Sequence, residues 1–325
     1  MAQYIIKRKD MKKNVLGTFL ILFAVIILTN CSKESQIVGI KDVSFGNYPK
    51  VDGSTSARAL NQMVACKLLG IRYEWVLGFS EEWSIESKDI LPKNFENFLW
   101  EHIQTSQTHG AFMNLIDKNA DIILTHRTIS PDEKEYAESI GISLNETSIA
   151  SDALVFVVHP NNPVKSLTIE EIQKIYTGEI TNWSEVGGND AVINAYSRPR
   201  YSGSEEVFRA LVMNGLEPTD FPKALEINPM YGVFFAMGND VNGICYTFNN
   251  YAEVIVRRPD IPKIAINGIF PDDKSIENKT YPFISEVHVA IRSDLDRNSM
   301  AYKLYEWLQS EDAKSTIIEC GFIPK

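Results

Sequence analysis

The 325-residue sequence is short of the residues that several protein classes require. Its four cysteines are too few to build a fold from disulfides, and no pair has the CxxC spacing of a structural zinc site. It carries 32 basic against 42 acidic residues, net charge −10, which argues against non-specific nucleic-acid binding. The motifs GxSxG, GxxxxGK[ST] and HExxH are absent, so the sequence predicts neither an enzyme nor a metal or other cofactor. The length allows two domains.

The apolar run at residues 15–28 is shorter than the roughly 20 residues that a membrane-spanning helix needs. It follows a basic segment, so it predicts a signal peptide over residues 1–30. Leu28-Thr29-Asn30-Cys31 resembles a bacterial lipoprotein lipobox, although Asn30 stands where a small residue is usual. We therefore expect a lipidated Cys31 and a tether over residues 31–47. The alternative is an uncleaved N-terminal membrane anchor, and both readings place the remainder outside the cytoplasm.

The remainder of the chain alternates strand-like apolar runs with helical patterns, which predicts an α/β fold. Thr168 followed by Glu171 predicts a helix N-cap, and Gly178 predicts the end of the same helix. The other predicted strands cover residues 120–124, 153–158, 244–248 and 264–266. The other predicted helices cover residues 57–69, 111–117, 205–213, 300–309 and 312–319.

Three polar or glycine-containing segments stand immediately before predicted helices, at residues 52–56, 108–110 and 202–204. The start of a helix offers unpaired backbone N–H groups and the positive end of the helix dipole. Glycine lets an anion approach the backbone, and hydroxyl groups add donors. Any single segment is explained by ordinary capping, but three together raise the possibility of one composed anion site.

Two arginines follow predicted strands, where α/β sheets bind ligands. Arg127 comes directly after the strand at 120–124, and Arg198 follows a strand-like run at 192–196. The guanidinium group matches the geometry of phosphate and carboxylate. The alternative for each arginine is a surface salt bridge, which contributes little.

These segments resemble those of the phosphate-binding proteins of bacterial phosphate ABC transporters. The most specific similarity lies in DALVFVVHPNNPV (152–164) and LTIEEIQKIYTGEITNWSEVGG (167–188), with DGSTS (52–56), ADIILTHR (120–127) and RPRYSGS (198–204) in support. The resemblance implies a two-lobed type II periplasmic-binding-protein fold with crossing hinge strands. It implies a first lobe of residues 48–152 and 250–325 and a second lobe of residues 153–249.

The resemblance also implies a function and a set of binding residues. The chain would capture inorganic phosphate between its lobes, deliver it to ABC permease subunits and contact the membrane through its lipid anchor. It implies no catalysis, no cofactor, no metal and no nucleic acid. The phosphate-binding residues carried over are Ser54, Thr55, Thr108, His109, Gly110, Arg127, Arg198, Ser202, Gly203 and Ser204.

Three residues depart from the family pattern and leave selectivity among oxyanions open. His126 stands where serine is frequent, and His109 stands in a loop usually made of small residues. Arg200 lies where some members carry a carboxylate that accepts the proton of hydrogen phosphate, which arginine cannot do. Two other functions also stay open: a lipid-anchored sensor or adaptor of the same fold, and a secreted hydrolase acting through Ser202.

The remaining cysteines allow two states outside the cytoplasm. Cys66, Cys245 and Cys320 would provide one disulfide in an oxidising compartment, or they would remain three buried thiols.

Overall fold

The structure, a computed structural model, describes residues 39–220, 222 and 225–325. The predicted signal peptide, the lipidation of Cys31 and residues 31–38 of the tether lie outside the described residues. Among the residues described, no helix combines the length and the apolar character that crossing a bilayer requires.

The described chain alternates strands and helices, as the sequence pattern predicts. The strands are β1 Val51–Gly53, β2 Tyr73–Leu77, β3 Trp83–Ser87, β4 Ile122–Thr125, β5 Leu144–Val158, β6 Ser166–Leu167, β7 Asn194–Ala195, β8 Gly243–Phe248, β9 Ala265–Ile266, β10 Ile284–Arg292 and β11 Ile323–Pro324. The helices are α1 Arg58–Leu69, α2 Phe98–His102, α3 Gln107–Ile116, α4 Pro131–Ser139, α5 Ile169–Thr177, α6 Gly203–Val207, α7 Gly232–Asn239, α8 Asp273–Glu277, α9 Met300–Leu308 and α10 Glu311–Glu319. Short 3₁₀-helices cover Thr55–Ala57, Lys93–Phe95 and Trp183–Val186, and π-helices cover Phe208–Met213 and Tyr251–Val256.

The 15-residue strand β5 belongs to both lobes. Its first part, through Ala153, pairs antiparallel with β10, and its second part, from Leu154, pairs antiparallel with β8. The sheet order is β1-β4-β10-β5-β8-β7, with β11 also on β5. We call the part around β1, β4 and β10 the first lobe and the part around β7 and β8 the second lobe. The strand thus changes lobes between Asp152 and Leu154, and this point is a crossing of the two-lobed fold.

Each lobe has its own apolar core. In the first lobe α3 packs on the sheet through Phe112 and Leu115, which contact a cluster that includes Ile123. In the second lobe the ring of Phe208 stacks on that of Tyr246 with a centroid distance of 4.2 Å. Burial of such apolar surface is the main favourable contribution to folding. The two cores hold the loops between them in place.

Most predicted elements are present, with differences at their ends. The cap of α5 is confirmed, because Thr168 accepts from Glu171 N, Glu171 accepts from Thr168 N, and Gly178 ends the helix in the left-handed region. Helix α3 begins at Gln107, so the polar segment at 108–110 forms its first turn instead of preceding it. The strand predicted at 153–158 begins at Leu144, because its first half is largely polar and forms no apolar run.

The lobe boundaries stay a prediction, and one segment bears on them. Strand β9 pairs in parallel with β6, and Ile264 N donates to Phe156 O. Residues 264–266 therefore pack on the second lobe, although the predicted boundary assigns them to the first. The chain returns to the first lobe where Phe283 O accepts from Leu154 N.

The three described cysteines are buried free thiols. Burial raises the pKa of Cys66, Cys245 and Cys320 to about 12 in each case. Of the two states predicted from the sequence, the structure has the thiol state.

Candidate functional site: an enclosed donor-lined cavity between the lobes

The buried carboxylate of Asp52 holds the loop that follows β1 in place. Asp52 is 1% exposed and accepts from Gly53 N, Ser106 N and Asn114 Nδ2 at 2.7–2.9 Å. Only glycine fits at position 53, because an added Cβ would lie 2.6 Å from Leu124 O. These contacts hold the first polar segment beside the start of α3.

A small cavity lies where the two lobes meet. The space that the centre of a water-sized sphere can reach within it is about 20 Å³. One water needs roughly 10–15 Å³ by this measure, so the space suits a small ion and excludes an organic molecule of ordinary size. The first lobe contributes Ser54, Thr55, Ser56, Gln107 and Thr108, and the second contributes Arg198, Ser202, Gly203, Ser204, Met230 and Phe248.

Arg198 brings a positive charge to this cavity without a carboxylate partner. It is 7% exposed, its Nη1 donates to Ile227 O and Asn228 O, and its Nε donates to Ser204 Oγ at 3.3 Å. No ion pair joins its guanidinium to a carboxylate of the described residues, and Nη2 has no partner there. Burial lowers the pKa of Arg198, because an unpaired buried charge is unfavourable. An anion in the cavity would neutralise this charge.

The start of α6 adds oriented donors on the same side. Ser202 is its N-cap, and its Oγ accepts from Glu205 N at 3.3 Å. The N–H groups of Gly203 and Ser204 begin the helix and have no partner within it. The carboxylate of Glu205 does not line this space, and it accepts from Arg209 Nε at 2.7 Å, from Arg198 N at 3.3 Å and from the hydroxyl of Tyr246. Hydroxyl, amide, N–H and guanidinium groups therefore line most of the cavity, and none of its lining residues, all of them described, has a carboxylate.

Arg127 does not line the cavity, although the sequence predicts it as a ligand. Its Nη1 and Nη2 donate to both oxygens of Glu133 at 2.8 Å, and its Nε donates to Glu206 Oε2 at 2.5 Å. Burial alone would raise the pKa of Glu133, but the hydrogen bonds and charge of Arg127 outweigh it and lower that pKa. The charge of Arg127 is thus matched by two glutamates. We leave it out of the ligand set.

His109 and Gly110 also lie outside the cavity lining. His109 Nδ1 lies 2.8 Å from Glu133 Oε1, and its ring lies 5.5 Å from that of Tyr201 across the cleft. In the first turn of α3, Gln107 and Thr108 line the cavity and these two residues do not. Seven of the predicted residues are brought together: Ser54, Thr55, Thr108, Arg198, Ser202, Gly203 and Ser204.

A second, larger cavity of about 690 Å³ lies beside the first. Arg127, His109, Arg200 and Glu206 are among its lining residues, and it shares no lining residue with the small cavity. The cations there include Arg127, which is already paired, and the exposed Arg200. The chemistry for holding an anion is therefore concentrated in the small cavity.

Sequence reasoning missed several residues of the site. Ser56, Gln107, Met230 and Phe248 line the cavity, and His126 lies behind Ser56 with its Nδ1 2.9 Å from Ser56 Oγ. Ser56 shares the first polar segment with Ser54, which was the available signal. Met230 and Phe248 have no local signature, because only the folding of the second lobe brings them here.

The architecture and the cavity define the class of protein. A strand that crosses between two lobes and a donor-lined cleft between them are typical of two-lobed binding proteins. Residues 98–259 match the family model described as the PBP superfamily domain. The likeness to solved structures agrees. A putative phosphate ABC transporter substrate-binding protein from Clostridium perfringens has a TM-score of 0.64 at 22% identity, covering 86% of this chain and all of that one.

Curated relatives make the resemblance more specific. The phosphate-binding protein PstS of Bacillus subtilis is 25% identical over 183 residues, 56% of this chain and 58% of that protein. The protein of the same name from Staphylococcus epidermidis is 29% identical over 254 residues, 75% of this chain and 73% of the relative. The Bacillus match spans less than two thirds of that relative's length. These matches confirm the resemblance seen in the sequence motifs.

Proposed function

We propose that this chain binds inorganic phosphate in the small interlobe cavity and delivers it to an ABC permease outside the cytoplasm. The observation that carries the proposal is Arg198, a buried guanidinium that faces a cavity of hydroxyl and N–H donors without a carboxylate partner among the described residues. The names of the curated relatives and of the Clostridium perfringens structure support phosphate as the ligand.

The size of the cavity supports the free ion over its organic esters. A phosphate ester needs an opening for its substituent, and here Gly203 and Thr108 meet at the wall between the lobes. Binding would stabilise the closed form, because donors of both lobes converge on one anion. No bond is made or broken in this process, so the proposed role is transport and not catalysis.

The membrane attachment belongs to the same proposal. A diacylated Cys31 would hold the protein at the outer face of a membrane, where a permease is reached by diffusion in two dimensions. Replacement of Cys31 by serine is expected to release the protein from the membrane fraction into the soluble fraction, with phosphate binding unchanged.

Isothermal titration with phosphate, arsenate and sulfate tests the binding proposal. We expect saturable phosphate binding by the wild type, and a loss of about 10- to 150-fold in affinity for Arg198→Met, since hydrogen bonds to charged groups are worth about 1.5–3 kcal/mol. Arg200→Met is the matched control, because Arg200 is exposed and lies outside the cavity. Absence of heat and of thermal stabilisation with all three anions would reject the proposal.

A further inference from the structure

A buried chain of hydrogen bonds runs from the cavity to the crossing point of β5. Ser56 Oγ lies 2.9 Å from His126 Nδ1, and His126 Nε2 lies 3.2 Å from Asp152 Oδ2. All three residues are at most 3% exposed. The other oxygen of Asp152 accepts from Ala153 N at 2.8 Å and from Asn250 N at 3.0 Å. The chain therefore connects the lining of the cavity with the backbone that joins the lobes.

The carboxylate sets the direction of the protons along this chain. A carboxylate accepts hydrogen bonds only, so the ring proton of a neutral His126 is on Nε2 and points to Asp152. Nδ1 then carries a lone pair. Of the two serines near it, Ser56 at 2.9 Å and Ser54 at 3.4 Å, the nearer one donates its hydroxyl proton to it. With its proton committed to His126, Ser56 Oγ presents only lone pairs to the cavity.

The serines on the opposite wall have the reverse orientation. Ser202 Oγ accepts from Glu205 N, and Ser204 Oγ accepts from Arg198 Nε. The two hydroxyl oxygens lie 3.5 Å apart, and neither has an acceptor outside this pair among the described residues, so each can turn its proton to a ligand. The fixed partners thus make Ser56 an acceptor and Ser202 and Ser204 donors, although all three side chains are chemically identical.

We propose that Ser56 accepts the proton of a singly protonated tetrahedral oxyanion, and that His126 and Asp152 are positioning residues that keep it an acceptor. Hydrogen phosphate and hydrogen arsenate carry such a proton. Sulfate carries none, so its oxygens and Ser56 Oγ would be two acceptors in contact, which repel each other. A site with a buried acceptor rejects an analogue that lacks the matching donor. This inference rests on the proposed function and adds the selectivity that the cavity, without a carboxylate in its lining, would otherwise lack.

Asp152→Asn tests the direction of the protons. The amide oxygen of asparagine still accepts from Ala153 N and Asn250 N, while its NH₂ group donates to His126 Nε2. The ring proton then moves to Nδ1, donates to Ser56 Oγ, and turns the serine proton toward the cavity. We expect the ratio of phosphate to sulfate affinity, measured by titration at mildly alkaline pH, to fall by about 10- to 100-fold, the value of one strong hydrogen bond.

Two serine variants separate this effect from a general loss of binding. Ser56→Ala removes the acceptor, so it lowers the phosphate-to-sulfate ratio even if Asp152→Asn fails to fold. Ser202→Ala is the matched control, because it removes a donor that both anions use. It is expected to weaken both anions by a similar factor and leave the ratio unchanged.

Nitrogen NMR of the His126 side chain gives a second readout that a merely structural role would not move. We expect the Nε2–H tautomer in the wild type and the Nδ1–H tautomer in Asp152→Asn. A doubly protonated ring in the phosphate-bound wild type would overturn the inference, as would a folded Asp152→Asn or Ser56→Ala protein with the wild-type ratio. A wild type without phosphate affinity would instead overturn the proposed function itself.

Discussion

The two arginines that follow strands of the sheet differ in whether a carboxylate neutralises their charge. Arg127 is held by both oxygens of Glu133 within its own lobe and by Glu206 across the cleft. The guanidinium of Arg198 donates to carbonyl and hydroxyl oxygens, none of which carries a charge, while its backbone N–H donates to Glu205 Oε2. Removing a partner from a buried ion pair is costly, whereas an unpaired buried charge favours an incoming anion. We therefore propose that Arg127 serves stability and closure and that Arg198 binds the ligand.

The variant Glu133→Gln tests the stabilising role of Arg127, because the free energy of unfolding that it loses depends on pH. The pKa of Glu133 is lowered in the folded protein, so the ionised side chain stabilises the fold above the usual glutamate pKa of about 4.3, and this stabilisation is lost as pH falls through the lowered value. We expect the variant to lose about 1–3 kcal/mol at neutral pH, as for a broken hydrogen bond to a charged group. The difference from wild type should shrink below the usual glutamate range.

Thermal and chemical unfolding across this pH range measures the difference. Glu135→Gln is the control, since Glu135 is exposed on the same helix. Burial raises the pKa of Glu206, which acts in the opposite direction, but Glu206 is present in both proteins and its contribution largely cancels. A difference between wild type and Glu133→Gln that stays constant down to strongly acidic pH would contradict the assignment.

The starts of α3 and α6 are the elements that close the cavity, one from each lobe. A Cβ added at Gly203 would lie 2.2 Å from Thr108 Oγ1 and 3.2 Å from its Cβ. The two helix starts can therefore approach this closely only with glycine at the start of α6. Each start would also offer N–H groups and the positive end of its dipole to an anion in the cavity.

Gly203→Ala is expected to impair closure and not folding of the separate lobes. We expect phosphate affinity to fall by at least about tenfold, since closure would cost the hydrogen bonds of one wall. The unfolding midpoint of the ligand-free protein should change little if its lobes are apart. Gly46→Ala, at an exposed position with open space around the added Cβ, is the control. Equal affinities of Gly203→Ala and wild type, measured by titration, would show that the two starts do not meet in the bound form.

The sequence predicted the elements better than the contacts between them. Thr168, Glu171 and Gly178 act within one helix, so local spacing determined both ends of α5 correctly. The start of α3 was placed four residues late, because Gln107 enters the helix from a left-handed backbone conformation that its residue type does not suggest. Local patterns report on capping and burial, and they do not report such backbone turns.

The same limit explains which site residues could be found. Ser54, Thr55 and Ser202 stand in polar segments whose composition is itself the signal. Which arginine faces the cavity depends on Glu206, a residue of the other lobe that neutralises Arg127. The role of Ser56 likewise depends on Asp152, which lies far along the chain and reaches it through His126. Pairings of this kind require the tertiary structure.

At the scale of the whole molecule, the two lobes enclose the small cavity in a closed arrangement. The Arg127–Glu206 ion pair, the contact of Gly203 with Thr108 and the rings of His109 and Tyr201 all bridge the cleft. Strand β5 continues through both lobes, so opening requires rotation about the residues near Asp152 and Asn250. The net charge of −10 repels an anion at long range, which places the entire attraction in these local donors.

A crystal structure of the phosphate complex tests the central claim most directly. Our account predicts phosphate in the small cavity, with Arg198, Ser202 and the N–H groups of Gly203 and Ser204 donating from one lobe and Ser54 and Thr108 from the other. One phosphate oxygen should lie within hydrogen-bond distance of Ser56 Oγ. Phosphate held instead in the larger cavity, beside Arg200 and His109, would contradict the account.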